Sequence, residues 1–218
     1  MNNIYLCFLL AIFICSCNTD VSKEDSKMSK HALDSAYNVK IVRDSLFKVY
    51  SDSVQKVVSA KNTLAIKKLQ PKMRFKKDEF TESAWVYHKS SPGYVNQNAL
   101  YCYFKMSADS PGPLRFVIQH YDDEWLFIKY VQFVLDDENF KLIPSHVDRD
   151  NGSGNIWEWF DKPITDESLT IVKKLSTAKS AKMKLIGTQY YKIKSITQSQ
   201  IKAIKDVLDY YKLKGGTI

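Results

Sequence analysis

From His31 to Leu69 the chain carries neither glycine nor proline, and Pro71 closes the stretch. Within it, apolar residues recur at Val39, Val42, Leu46, Tyr50, Val54, Val57 and Leu64, in steps of three and four that gather on one helical face. Proline lacks the N–H that the next helical turn needs, so the spacing predicts a helical arm or stalk over 31–70 that stops at Pro71. Fully helical, His31–Leu69 would reach about 58 Å at 1.5 Å per residue. The apolar steps do not keep a strict heptad, so paired arms are not the expectation.

After Pro71 the pattern changes. Lys72–Asp78 reads as a basic loop, and a globular domain is expected over 79–216. Its strand-like runs are Ala84–Lys89, Leu100–Met106, Leu114–Tyr121, Trp125–Leu135 and Phe140–Pro144, rich in aromatic and β-branched residues. Pro92-Gly93, Ser110–Pro113 and Asp122–Glu124 punctuate them, and Asp136–Asn139 reads as a hairpin turn. Asp148–Asn155 reads as a loop before Ile156–Phe160. Thr165 caps a short helix carrying Leu169, Val172 and Leu175. Met183–Ile186 and Gln189–Ile193 are strands turned at Gly187. Thr197 with Gln200 makes a capping box for a last helix whose apolar face is Ile201, Ile204, Leu208 and Tyr211, ended by Gly215-Gly216. Short consecutive strands with short turns imply an α+β fold: an antiparallel sheet with C-terminal helices, preceded by the long arm.

A hydrophobic content of 44% excludes general disorder. The formal charge of +8 sits almost wholly in residues 179–218, where nine lysines face two aspartates. Lys202, Lys205 and Lys212 lie off the apolar face of the last helix and are candidates for binding an anionic partner. Trp157 and Trp159 point to one side of a strand, with Glu158 opposite. Exposed, such rings stack on a sugar or a partner and join the candidate binding residues; burial in the core is the stronger expectation for large aromatics.

Catalytic signals are sparse. Asp148–Asn155 mixes carboxylates and glycines as calcium loops do, but the twelve-residue register fails at Gly152 and Trp159. His31, His88, His120 and His146 lack metal-ligand spacing. Neither metal nor cofactor is expected. Asp122–Glu124 and Asp148–Asp150 are the carboxylates that a glycoside or peptide hydrolase would have to bring across one cleft, about 5–9 Å apart.

The amino terminus reads Met1-Asn2-Asn3, then an uncharged apolar run Ile4–Ile14, then Cys15-Ser16-Cys17 and a polar stretch. The run is shorter than the roughly 20 residues a membrane span requires, and its polar start, apolar centre and small residue before a cysteine fit a secretory signal. Phe13–Cys17 resembles the lipobox of bacterial lipoproteins. That resemblance implies cleavage of a signal peptide at 1–16 and a fatty-acylated Cys17. It also implies a membrane-held protein in the cell envelope, with the outer membrane preferred and the domain facing periplasm or exterior. Residues 17–30, polar and charged, read as a flexible tether. Cys7 and Cys15 would leave with the signal, so Cys102 would remain as a lone buried thiol. Asp123–Ile128, Arg149–Gly152 and Ile156–Asp161 resemble stretches of uncharacterised envelope lipoproteins of bacteria and their mobile elements, a likeness that carries class and location but no activity.

Behind an export signal, basic charge suits anionic lipid, lipopolysaccharide phosphate or an acidic protein rather than nucleic acid. The first expectation is thus a non-enzymatic binding module for an anionic envelope component or protein partner. The second is an envelope hydrolase for glycan or peptide. The third is a phage-exclusion or toxin-immunity lipoprotein.

Overall fold

The computed structural model describes residues 23–108 and 110–218. The expected signal segment 1–16 and Cys17 lie outside them. The chain divides into two compact units, Met1–Val57 and Val58–Ile218. Helix α1 runs over Lys23–Leu69. It begins inside the stretch expected to be tether, because Lys23–Lys30 holds no glycine or proline and is rich in straight-chain residues with good helix propensity. In the first unit its apolar residues Val39, Val42, Leu46, Tyr50 and Val54 are exposed, as are Phe47 and Val49. Among the described residues, no helix is long and apolar enough to cross a membrane.

In the second unit α1 ends with Leu69 buried in the core and Ile66 packed against it. Pro71 sits in a 3-10 turn, Gln70–Lys72. The fold is α+β with two antiparallel sheets. The larger sheet contains β1 (Met73–Lys77), β2 (Ser83–His88), β3 (Ala99–Ser107), β5 (Arg115–Asp122), β8 (Asp148–Gly152) and β9 (Asn155–Pro163), in the order β1-β2-β3-β5-β9-β8; the two-residue β4 (Ser110–Pro111) pairs with β3. The smaller sheet contains β6 (Tyr130–Leu135), β7 (Glu138–Leu142), β10 (Ala181–Ile186) and β11 (Tyr191–Ser195), in the order β11-β10-β6-β7. Helices α2 (Asp166–Leu175) and α3 (Gln198–Leu213) complete the domain.

One face of the large sheet makes the core. Alternate residues Leu100, Cys102, Phe104 and Met106 of β3 and Phe116 and Ile118 of β5 are buried there. Phe116 meets Phe133 of the small sheet at 6.4 Å, and α3 sets Tyr211 edge-on against Phe104 at 5.0 Å. Cys102 is buried, and burial pushes its thiol well above the ordinary thiol range. The capping box Thr197–Gln200 forms as the sequence predicts.

Several expectations shift. The basic stretch after Lys72 is the edge strand β1, paired with β2 from Met73↔His88 to Lys77↔Ala84. Asp148–Asn155 is not a loop. It supplies β8 and a two-residue hairpin turn, in which Ser153 and Gly154 take φ of 53° and 80°, the left-handed pair that a tight hairpin needs. Two strands slide by two residues, to Glu138–Leu142 and Tyr191–Ser195. In α2, Ile171 joins Val172 and Leu175 in the core while Leu169 is half-buried.

The long strand expected over Trp125–Leu135 begins only at Tyr130. Its first five residues are diverted by Glu158. That carboxylate is completely buried and accepts from the backbone N–H of Leu126 (2.7 Å) and Phe127 (2.8 Å) at Oε1, and of Ile128 (2.9 Å) at Oε2. Arg149 Nε donates to Oε2 at 3.1 Å. Three consecutive amides turned on one side chain cannot feed a strand ladder, and Phe127 takes a φ of 54° to make the turn.

Candidate ligand-binding face

The burial of Glu158 settles the orientation of β9. Its inward residues are Ile156, Glu158 and Phe160; Trp157 and Trp159 point away from the core and are half-buried. The expectation that these indoles fill the core is therefore corrected. The charged residue between them goes inside because it finds four donors there, whereas an indole offers one N–H and no acceptor.

The register carries that orientation across the sheet. The face opposite the core presents Arg74 and Lys76 from β1, Trp85 and Tyr87 from β2, and Tyr101, Tyr103 and Lys105 from β3. Arg115, Val117, Gln119 and Tyr121 follow from β5, and Trp157, Trp159 and Asp161 from β9. One register row reads Arg74, Tyr87, Tyr103, Arg115. The two phenols stack at 4.7 Å and 10°, with the Arg74 guanidinium 5.2 Å from the Tyr87 centroid and that of Arg115 5.9 Å from the Tyr103 centroid. Beside it Lys105 lies 5.4 Å from the Trp85 ring, and Tyr121 stacks with Trp157 at 6.5 Å. Cross-strand ring pairs and cation–ring contacts each add about 0.5–1.5 kcal/mol beyond simple burial. Together the rings shield the sheet centre: Val117 and Gln119 are only 2% and 1% exposed.

Positive charge dominates the β1–β5 side. Arg115 is held by Asp161, its Nε donating to Oδ1 at 2.8 Å, and the Tyr103 hydroxyl donates to the same carboxylate. Lys105 pairs with Asp78 at 2.9 Å, and that bond, with the Phe80 amide, holds the Asp78 carboxyl down at about 2. Arg74 and Lys76 have no acidic partner among the described residues. Two buried polar atoms on this face lack a hydrogen bond among the described residues, Gln119 Oε1 and Trp157 Nε1.

Lys202, Lys205 and Lys212 are exposed on α3, which packs on the core side of the large sheet. The structure thus puts the predicted lysines and the predicted tryptophans on opposite sides of that sheet. Lys205 is further engaged with Asp209 at 2.6 Å. On the inner side of α3, Asp206 is buried and takes Lys72 at 2.8 Å.

The candidate hydrolytic carboxylates also separate. Asp122 belongs to the inner face of β5, where Lys192 reaches it at 2.8 Å; Asp148 and Asp150 belong to the outer face of β8. Asp122 closes a polar seam between the sheets with His120, Lys192, Lys194 and Asn98. Burial raises the Asp122 carboxyl, but the Lys192 and Asp123 hydrogen bonds outweigh it and hold it far below the usual range. Burial lowers Lys194 to about 8 and His120 to about 4. Among the described residues, no three His, Cys, Asp or Glu side chains gather as a metal site would require.

Sequence reasoning picked out Trp157 and Trp159 but missed the tyrosines and arginines beside them. A signal was there: Trp85-x-Tyr87, Tyr101-x-Tyr103 and Trp157-x-Trp159 repeat one aromatic spacing on three strands. Comparison of the chain with protein-family models, curated proteins and solved structures gives no match in any of the three.

Proposed function

We propose that this chain is a non-enzymatic binding module of the bacterial cell envelope, anchored by acyl chains on Cys17, that presents the outer face of its large sheet to an anionic envelope component. The lipobox-like Phe13–Cys17 supports the anchor, and two acyl chains suffice for stable membrane attachment. An unmodified Cys17 in the mass spectrum of the mature protein would remove it. The observation that carries the binding surface is the interleaving of Arg74, Lys76, Lys105 and Arg115 with seven aromatic side chains on the outer face of the large sheet. Stacked rings preset the cations and lower the entropy lost on binding.

Three of the four tryptophans, Trp85, Trp157 and Trp159, belong to this face, so intrinsic fluorescence reads it directly. The full chain in detergent is titrated with core oligosaccharide released from lipopolysaccharide. A saturable change that weakens with salt is expected. Lys76→Glu should weaken it about fivefold or more, about 1 kcal/mol, while joint replacement of Lys202, Lys205 and Lys212 by Gln leaves it unchanged. Loss in the triple variant with retention in Lys76→Glu would move the site to α3 and refute the proposal.

A further inference from the structure

Beside the stacked row, a groove of about 450 Å³ opens between β1, β2, β3 and the Pro92–Tyr94 turn, within the range of small-ligand sites. We infer that this groove is a subsite for a phosphate monoester carried on a sugar ring. The inference rests on the reading above, that the outer face binds an anionic component, and narrows it to one chemical group at one place.

Charge selects the anion. The groove is lined by Arg74 and Lys76 and by no acidic side chain. Two cations with no acidic partner among the described residues match the charge of about −1.5 to −2 on a phosphate monoester near pH 7. The donors are preset. Arg74 lies over the Tyr87 ring and gives one terminal N–H to the Pro92 carbonyl at 3.2 Å, which orients the guanidinium and leaves its other N–H groups for an acceptor. Two phenols complete the set. The Tyr101 hydroxyl accepts from Gln119 Nε2 at 3.2 Å, so its own proton is free to donate outward. The Tyr87 hydroxyl has no hydrogen-bond partner among the described residues. Burial pushes both phenols above their ordinary range, so both remain donors. A guanidinium, an ammonium and two hydroxyls exceed what a carboxylate's two oxygens require and suit the three of a phosphate.

The sugar follows from the groove's other wall. Tyr94 is 79% exposed and lies two residues after Pro92, in the turn whose Pro92 carbonyl holds Arg74. Among the described residues it pairs with no other ring, so its face is open to the apolar side of a pyranose.

Binding of glucose 1-phosphate, inorganic phosphate and glucose to the full chain in detergent is measured by calorimetry. Glucose 1-phosphate should bind, inorganic phosphate about tenfold more weakly, and glucose not measurably. Arg74→Gln should weaken glucose 1-phosphate about tenfold or more. Tyr94→Ala should weaken glucose 1-phosphate while leaving inorganic phosphate unchanged, a split that unfolding could not produce. Vesicles containing monophosphoryl lipid A separate the two sources of this group: binding there, sensitive to Arg74→Gln, with none to soluble glucose 1-phosphate, assigns the subsite to a glycolipid headgroup. If neither ligand binds, or if Arg74→Gln binds as wild type does, the inference is overturned. A core-oligosaccharide fluorescence change that persists in that event leaves the outer-face reading standing.

Discussion

Replacing Glu158 by Gln tests the element that places the whole outer face. The side chain keeps its size, and one oxygen still accepts from Leu126 and Phe127. The new amide, however, turns N–H groups toward the Ile128 amide and Arg149 Nε, which now donate to Oε2. Two donors are left facing a donor, the Ile128 amide beside a side chain with no solvent exposure and Arg149 at the partly exposed edge of the same site. An unsatisfied buried group costs about 1–3 kcal/mol, more when charged. Breaking one partner of a fully buried ion pair costs about 3–5 kcal/mol; the Arg149 side chain is 36% exposed and can turn to water, so the loss is expected at about 2–4 kcal/mol. For a chain of this length each kcal/mol lowers Tm by about 2–4 °C, so the melt should fall by about 4–16 °C. Circular dichroism gives the melt, with the exposed Glu82→Gln as control. Amide exchange should accelerate at Leu126, Phe127 and Ile128 before the rest of the sheet. A melt within 2 °C of wild type, or exchange unchanged at those three amides, would show that the carboxylate does not hold the segment.

Two further outcomes follow from neighbouring contacts. A Cβ at Gly187 would stand 1.8 Å from the Leu126 carbonyl oxygen, which also accepts from the Thr188 amide. Gly187→Ala should therefore cost about 2–3 kcal/mol, seen as a lower denaturant midpoint with unchanged slope; an unmoved midpoint would refute the close approach. His120, held neutral down to about 4 by burial and by Lys194 and Lys192 against the pull of Asp122 and Glu158, has an ordinary value of 6.5. Between those values the unfolded chain takes up a proton that the folded chain refuses, so stability present above pH 6.5 is lost as pH falls toward 4, by about 3 kcal/mol. His88, also lowered by burial, adds to the same slope. The slope rather than the absolute stability is compared in His120→Leu, and an unaltered slope would exclude His120 as its source.

Regular periodicity was legible in the sequence; long-range pairing was not. The Gly- and Pro-free stretch, the capping box at Thr197 and the alternating runs of β3 and β5 follow from local rules and appear where those rules put them. The loop at Trp125–Lys129 does not, because its cause lies some thirty residues away in Glu158. Trp157 and Trp159 show the same limit. Alternation establishes that they share a face, but which face is inside depends on donors brought by another segment. Arg74 was hidden for a further reason. A short basic run reads as loop until its partner strand is known, and β1 is an edge strand with little buried apolar area of its own.

The two-residue repeat of β9 sets a completely enclosed charge between two half-buried indoles that point the other way. Support and display are thereby divided between alternate residues of a single segment. Descendants of this sequence have room to exchange the displayed side chains while the scaffold beneath stays untouched, so the outer face should drift faster than the architecture.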